Sequence, residues 1–137
     1  MRIWINGFTG SGKTTISKVI GKKLGLEVIH GDDYITTDKD NWSNLPHKLI
    51  DVIKDKDNYV IEMTQIGRMA RKIDELDLDI RPDKYYYLTE VFKETTKKQD
   101  SFNKAIATIQ LEVDDILENW GTEIIDEIPL ETDLDTW

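Results

Sequence analysis

The sequence predicts an α/β domain built around a mostly parallel sheet, and two observations carry that prediction. Short apolar runs of strand length alternate with segments of helical periodicity almost from end to end of the 137 residues. The first strand is also joined to the first helix by a glycine-rich loop of defined spacing, Gly7-Phe8-Thr9-Gly10-Ser11-Gly12-Lys13-Thr14.

Ile3-Trp4-Ile5 forms the first strand, and Ile16, Val19, Ile20 and Leu24 then recur at helical spacing from Thr14 to Leu24, with Gly25 as the stop. A second strand, Leu26 to His30, runs into Gly31-Asp32-Asp33, which is turn chemistry. A polar stretch leads to a helix from Trp42 or Ser43 to Lys54. Tyr59 to Met63 is the third strand, Gly67 to Leu76 a helix, and Lys84 to Leu88 the fourth strand, announced by Arg81-Pro82-Asp83. Ser101 is the expected N-cap of the last helix, whose apolar face is Phe102, Ala105, Ile106, Ile109, Val113, Ile116, Leu117 and Trp120; Gly121 stands where a C′ glycine belongs. Glu123 to Ile128 is the fifth strand, stopped by Pro129. Residues 1–128 make one domain, and 129–137 form an acidic tail that is loosely held or packs onto a neighbour through Leu134 and Trp137.

This length supports one core and no second domain. The absence of cysteine removes disulfides, thiolate zinc sites and a thiol nucleophile. No apolar run approaches a membrane span and none at the start reads as a leader, so the expected location is the cytoplasm. A net charge of −9 disfavours nucleic acid and anionic membrane as partners. A phosphorylated small molecule needs only a local cluster of positive charge and N–H groups, and much of the acid lies far from the loop, from Glu112 to Asp135.

The loop reads G-x-x-x-x-G-K-T after a strand and before a helix, which is a phosphate-binding loop in its proper setting. Four fixed positions of this kind arise by chance on the order of once in two hundred chains of this length. Glycines let the backbone curl so that N–H groups converge on an anion, and the helix adds its positive end. Gly7, Thr9, Gly10, Ser11, Gly12, Lys13, Thr14 and Thr15 are therefore the expected nucleotide contacts, with Lys13 on the β and γ phosphates and the Thr14 hydroxyl on Mg²⁺.

The chain has four arginines, and two of them, Arg68 and Arg71, sit at i and i+3 on one helix face after the third strand. Their forks suit a phosphate or carboxylate, which makes them a candidate clamp for an acceptor; the alternative is a solvated face paired with Asp74 or Glu75. Glu62 is a weaker candidate, for Mg²⁺ or for orienting an arginine, and Gln65 weaker still. His30 is expected simply to end a strand, and Tyr85-Tyr86-Tyr87 to be strand rather than a stacking platform.

The glycine loop from Gly7 to Thr14, the Asp32-Asp33 pair after the second strand and the Arg68/Arg71 pair after the third together resemble the small P-loop kinases, the nucleoside monophosphate kinases and their shikimate, gluconate and cytidylate kinase relatives. The resemblance spans residues 1–128 and implies a three-layer fold with a five-stranded parallel sheet in the order 2-3-1-4-5. It also implies ATP and Mg²⁺ as cofactors and γ-phosphoryl transfer to a small acceptor, a nucleoside monophosphate first. Asp33, favoured over Asp32, is then the acid that takes a proton from the acceptor or holds water on Mg²⁺. The same family usually carries lid arginines where this chain has Lys93, Lys97 and Lys98, and a further helix where it has Pro129 to Trp137. Those differences motivate an alternative, a nucleotide-binding regulator with little transfer, or a kinase completed by a homodimer. Lys13→Ala is expected to abolish ATP binding in calorimetric titration while leaving the thermal melt nearly unchanged.

Overall fold

A computed structural model describes residues 1–34, 40–64, 66–91 and 94–125, with the side chains of 40–43 left aside. Its elements follow in the order β1 (Arg2–Gly7), α1 (Lys13–Leu24), β2 (Glu27–His30), a 3₁₀ turn (Gly31–Tyr34), α2 (Asp40–Ile53), β3 (Tyr59–Glu62), α3 (Ile66–Glu75), β4 (Lys84–Leu88), α4 (Lys97–Trp120) and β5 (Glu123–Ile125). The strands pair in the order β2-β3-β1-β4-β5, and every neighbouring pair is parallel. That is the α/β sheet order that the family resemblance implied.

Period-two alternation explains how one sheet feeds two cores. Ile3 and Ile5 of β1, Val60 of β3 and Tyr86 of β4 pack with Ile16 and Ile20 of α1. The intervening residues Trp4, Ile61 and Tyr85 turn to the other face, where they meet α2, α3 and α4 through Leu49, Met69 and Val113. The tyrosine run is strand, as expected. Trp4 is wedged edge-on against Trp120, with ring centroids 6.0 Å apart, and its Nε1 donates to the Tyr59 hydroxyl at 3.1 Å.

Two helix starts differ from the sequence expectation by more than one residue. α4 begins at Lys97 because Thr96, not Ser101, is the N-cap: the Thr96 hydroxyl accepts from the Gln99 N–H at 3.2 Å and Gln99 Oε1 accepts from the Thr96 N–H at 3.0 Å. This reciprocal pair satisfies two end groups where a lone serine would satisfy one. α2 starts at Asp40, which leaves Pro46 inside the helix. β5 is Glu123–Ile125; residues 126–128 of the expected strand, Pro129 and the acidic tail lie outside the described residues. Among the described residues, no helix is long and apolar enough to cross a membrane.

Burial pushes the Tyr59 phenol up to about 12 and that of Tyr85 further still. In the unfolded chain both titrate near 10. The folded values are raised, so this contribution to stability is complete below about pH 10 and is lost as the pH climbs toward 12. Melting temperature should fall steeply across that window, and Tyr85→Phe should flatten the fall.

Candidate active site at the carboxyl edge of the sheet

Because all strands run parallel, their carboxyl ends share one edge, and β1 lies at its centre with β3 and β4 on either side. The chain leaves β1 through α1 toward β2 and leaves β3 through α3 toward β4, in opposite directions along the sheet, which opens a crevice between the ends of β1 and β3. Gly7 ends β1 against β4 so closely that a Cβ would stand 2.5 Å from the Leu88 carbonyl oxygen. The Phe8 N–H donates to that same oxygen at 2.9 Å, and the Ser11 N–H donates back to the Phe8 carbonyl at 3.1 Å. Gly10 and Gly12 adopt φ of 82° and 84°, where a side chain would be strained. Gly12 caps α1 without a side-chain hydrogen bond, so the first-turn N–H groups of α1 face the loop mouth uncapped by any side chain.

Lys13 is buried, and its Nζ donates to the Phe8 carbonyl at 2.8 Å. Burial lowers its pKa, opposed by the nearby charges of Glu62 and Asp32. Glu62 is itself 3% exposed. Its Oε1 accepts from the Thr14 hydroxyl at 3.3 Å and from His30 Nδ1 at 2.8 Å. Strand register produces this cluster: Glu62 stands opposite Ile5 in β1 and opposite His30 in β2. A hydroxyl and a carboxylate side by side are oxygen donors of the kind a hard divalent cation takes.

The sequence-predicted residues fall as follows. Gly7, Thr9, Gly10, Ser11, Gly12, Lys13, Thr14 and Thr15 form the loop and the first turn of α1, Thr15 being exposed. Asp32 and Asp33 share the exposed 3₁₀ turn after β2, and of the two it is Asp32 whose charge acts on Lys13. Arg68 lines a cavity of about 250 Å³ together with Asn6, Thr64, Phe102, Ile106 and Ile109. Arg71 does not join it; its Nε pairs with Glu112 of α4 at 3.1 Å. The predicted clamp is thus split, because α4 covers one side of α3 and offers an acid there. Lys97 and Lys98 belong to the first turn of α4, while Gln65 and Lys93 lie outside the described residues.

Three polar residues at this edge were missed by sequence reasoning. Asn103 Oδ1 accepts from the Thr9 N–H of the loop at 2.8 Å. Asn6 Nδ2 donates to the Tyr85 hydroxyl at 2.9 Å and to Gln110 Oε1 at 3.2 Å, and the Tyr85 hydroxyl donates to Gln110 Oε1 at 2.9 Å. The buried seam of α4 is Asn103, Ile106, Gln110, Val113 and Leu117. Its 3-4-3-4 spacing was in the sequence, but tracing apolar residues alone rotated the face onto Phe102, Ala105 and Ile109. His30 was likewise underweighted, its signal being only its place at the end of a strand.

No family model matches the chain. A protein of Methanocaldococcus jannaschii named "Putative adenylate kinase" is 30% identical over 135 residues, a match covering 85% of this chain and 69% of that one. Among solved structures, shikimate kinase from Aquifex aeolicus superposes with a TM-score of 0.63 at 14% identity, covering 99% of this chain and 93% of the other. Deoxyadenosine kinase from M. mycoides with bound dATP gives 0.51 at 19%, covering 99% and 96%. These two establish the fold; the archaeal relative establishes kinship.

Gly7→Ala should destabilise the protein by about 2 kcal/mol, because the obstructing atoms include backbone of β4 that cannot swing aside. The denaturant midpoint checks this: Gly7 is not at positive φ, so its loss reports crowding, whereas Gly25→Ala, at φ 68° with no neighbour within 4 Å, reports the cost of a left-handed residue alone.

Proposed function

Since the chain belongs to the small P-loop kinases, a family of phosphotransferases, we propose that it moves the γ-phosphoryl group of ATP, with Mg²⁺, onto a nucleoside monophosphate. The observation that carries the choice of acceptor is the wall of the cavity beside the phosphate loop. Gly67, Phe102, Ala105, Ile106 and Ile109 give it an apolar surface, with Arg68 as its charged member. A polyhydroxylated acid would lose hydroxyl hydrogen bonds against such a wall, whereas a flat base buries apolar area there and leaves an anionic end for Arg68.

The roles of the residues follow from their chemistry. The uncapped N–H groups of α1 and the loop bind the phosphate chain, and Lys13 adds positive charge inside a buried setting where screening is weak. Thr14 and Glu62 would hold Mg²⁺, with Asp32 or Asp33 close by for its water; the ion, when bound, neutralises charge on the β and γ phosphates. His30 donates to Glu62 and fixes the direction in which that carboxylate points. Asp33 would hold water on the Mg²⁺ ion, and Arg68 binds the acceptor phosphate, one of whose oxygens is the attacking group. The catalysis is positioning and charge neutralisation, in which the bond between the γ-phosphorus and the β–γ bridging oxygen breaks as one to the acceptor oxygen forms.

Labelled γ-phosphate should pass from Mg-ATP to a nucleoside monophosphate and not to small hydroxy acids in the same panel. Asp33→Asn should lower kcat sharply. Arg68→Ala should raise acceptor KM about tenfold or more, the scale of a lost charge-assisted hydrogen bond, with ATP KM little changed. Transfer to hydroxy acids alone would overturn the acceptor assignment, and tight ATP binding with transfer to nothing would support the regulator alternative.

A further inference from the structure

Asn103 and Gln110 are the polar members of the α4 seam, 7% and 3% exposed. Polar groups in such a seam cost stability unless they find partners, and both do. Gln110 is engaged by Asn6 and Tyr85 on the sheet. Asn103 reaches beyond the sheet, to the amide of Thr9, 94 residues away in the chain.

Thr9 lies on the outer turn of the phosphate loop, beside Gly10. A loop that contains glycines at left-handed φ has little stiffness of its own, so its shape depends on what ties it down. Phe8 is tied to β4 and Ser11 back to Phe8. The tie at Thr9 comes instead from α4, whose Phe102, Ala105, Ile106 and Ile109 wall the acceptor cavity.

We propose that Asn103 is a positioning residue for phosphoryl transfer: its side-chain carbonyl holds the phosphate loop in the shape that grips the nucleotide, from the helix that walls the acceptor cavity. Ordering the loop in advance removes that cost from nucleotide binding and keeps the donor phosphates in fixed relation to the acceptor. This rests on the nucleotide role of the loop proposed above.

The test compares Asn103→Leu with Gln110→Leu by calorimetric ATP titration, thermal melts and steady-state transfer. Both remove a polar residue from the seam, but Gln110 makes no bond to the loop among those described. Asn103→Leu should weaken ATP binding about tenfold and lower kcat, with acceptor KM changed less than about twofold, the scale of one lost hydrogen bond. Gln110→Leu should keep ATP affinity within about twofold even where its melting temperature falls as far or further. Asn103→Ala, which cannot overfill the seam, should repeat the loss. Wild-type ATP affinity in Asn103→Leu and Asn103→Ala, or equal losses in the Asn103 and Gln110 variants, would overturn the proposal alone. Wild-type protein that binds no ATP would overturn the nucleotide role of the loop and this inference with it.

Discussion

Strand β1 is buried on both faces and hydrogen-bonded on both edges, and the site inherits its geometry from that confinement. A strand in this position cannot slip by one residue without turning Ile3 and Ile5 out of one core and Trp4 out of the other. Its register against β3 and β4 is therefore fixed, and so is the point at which the chain leaves the sheet. Gly7 meets that point at a separation that admits no side chain, and the loop that follows is held to β4 through Phe8. The phosphate loop is flexible in residue type but anchored in place.

The same register sets the electrostatics of the crevice. A carboxylate as buried as that of Glu62 is costly alone, and the cost is offset by the Thr14 hydroxyl, His30 Nδ1 and the charge of Lys13. Lys13 is in turn penalised by its own burial and helped by Glu62 and Asp32. The two groups hold one another in a setting where burial leaves their charges weakly screened.

Helix α4 closes the other side. Its apolar seam residues give it affinity for the sheet, and its polar ones give it a single rotational setting, since Gln110 and Asn103 must each reach a named partner. That setting decides which side chains remain to wall the cavity, and it also removes Arg71 from the crevice by bringing Glu112 to it.

How much of this was legible in the sequence follows from how local each feature is. The loop from Gly7 to Thr14 and the order of strands and helices were readable, because glycine spacing and hydrophobic period are properties of contiguous residues. The N-cap at Thr96 was also local, a capping box with Gln99 that was passed over in favour of Ser101. The Glu62–His30 pair, the parting of Arg68 from Arg71, and the reach of Asn103 to Thr9 were decided only by tertiary structure. Each joins residues on different elements, and such pairings are set by strand register and by the rotation of a helix about its axis. Those are chosen by burial of the whole sheet face, a quantity that no single stretch of sequence contains.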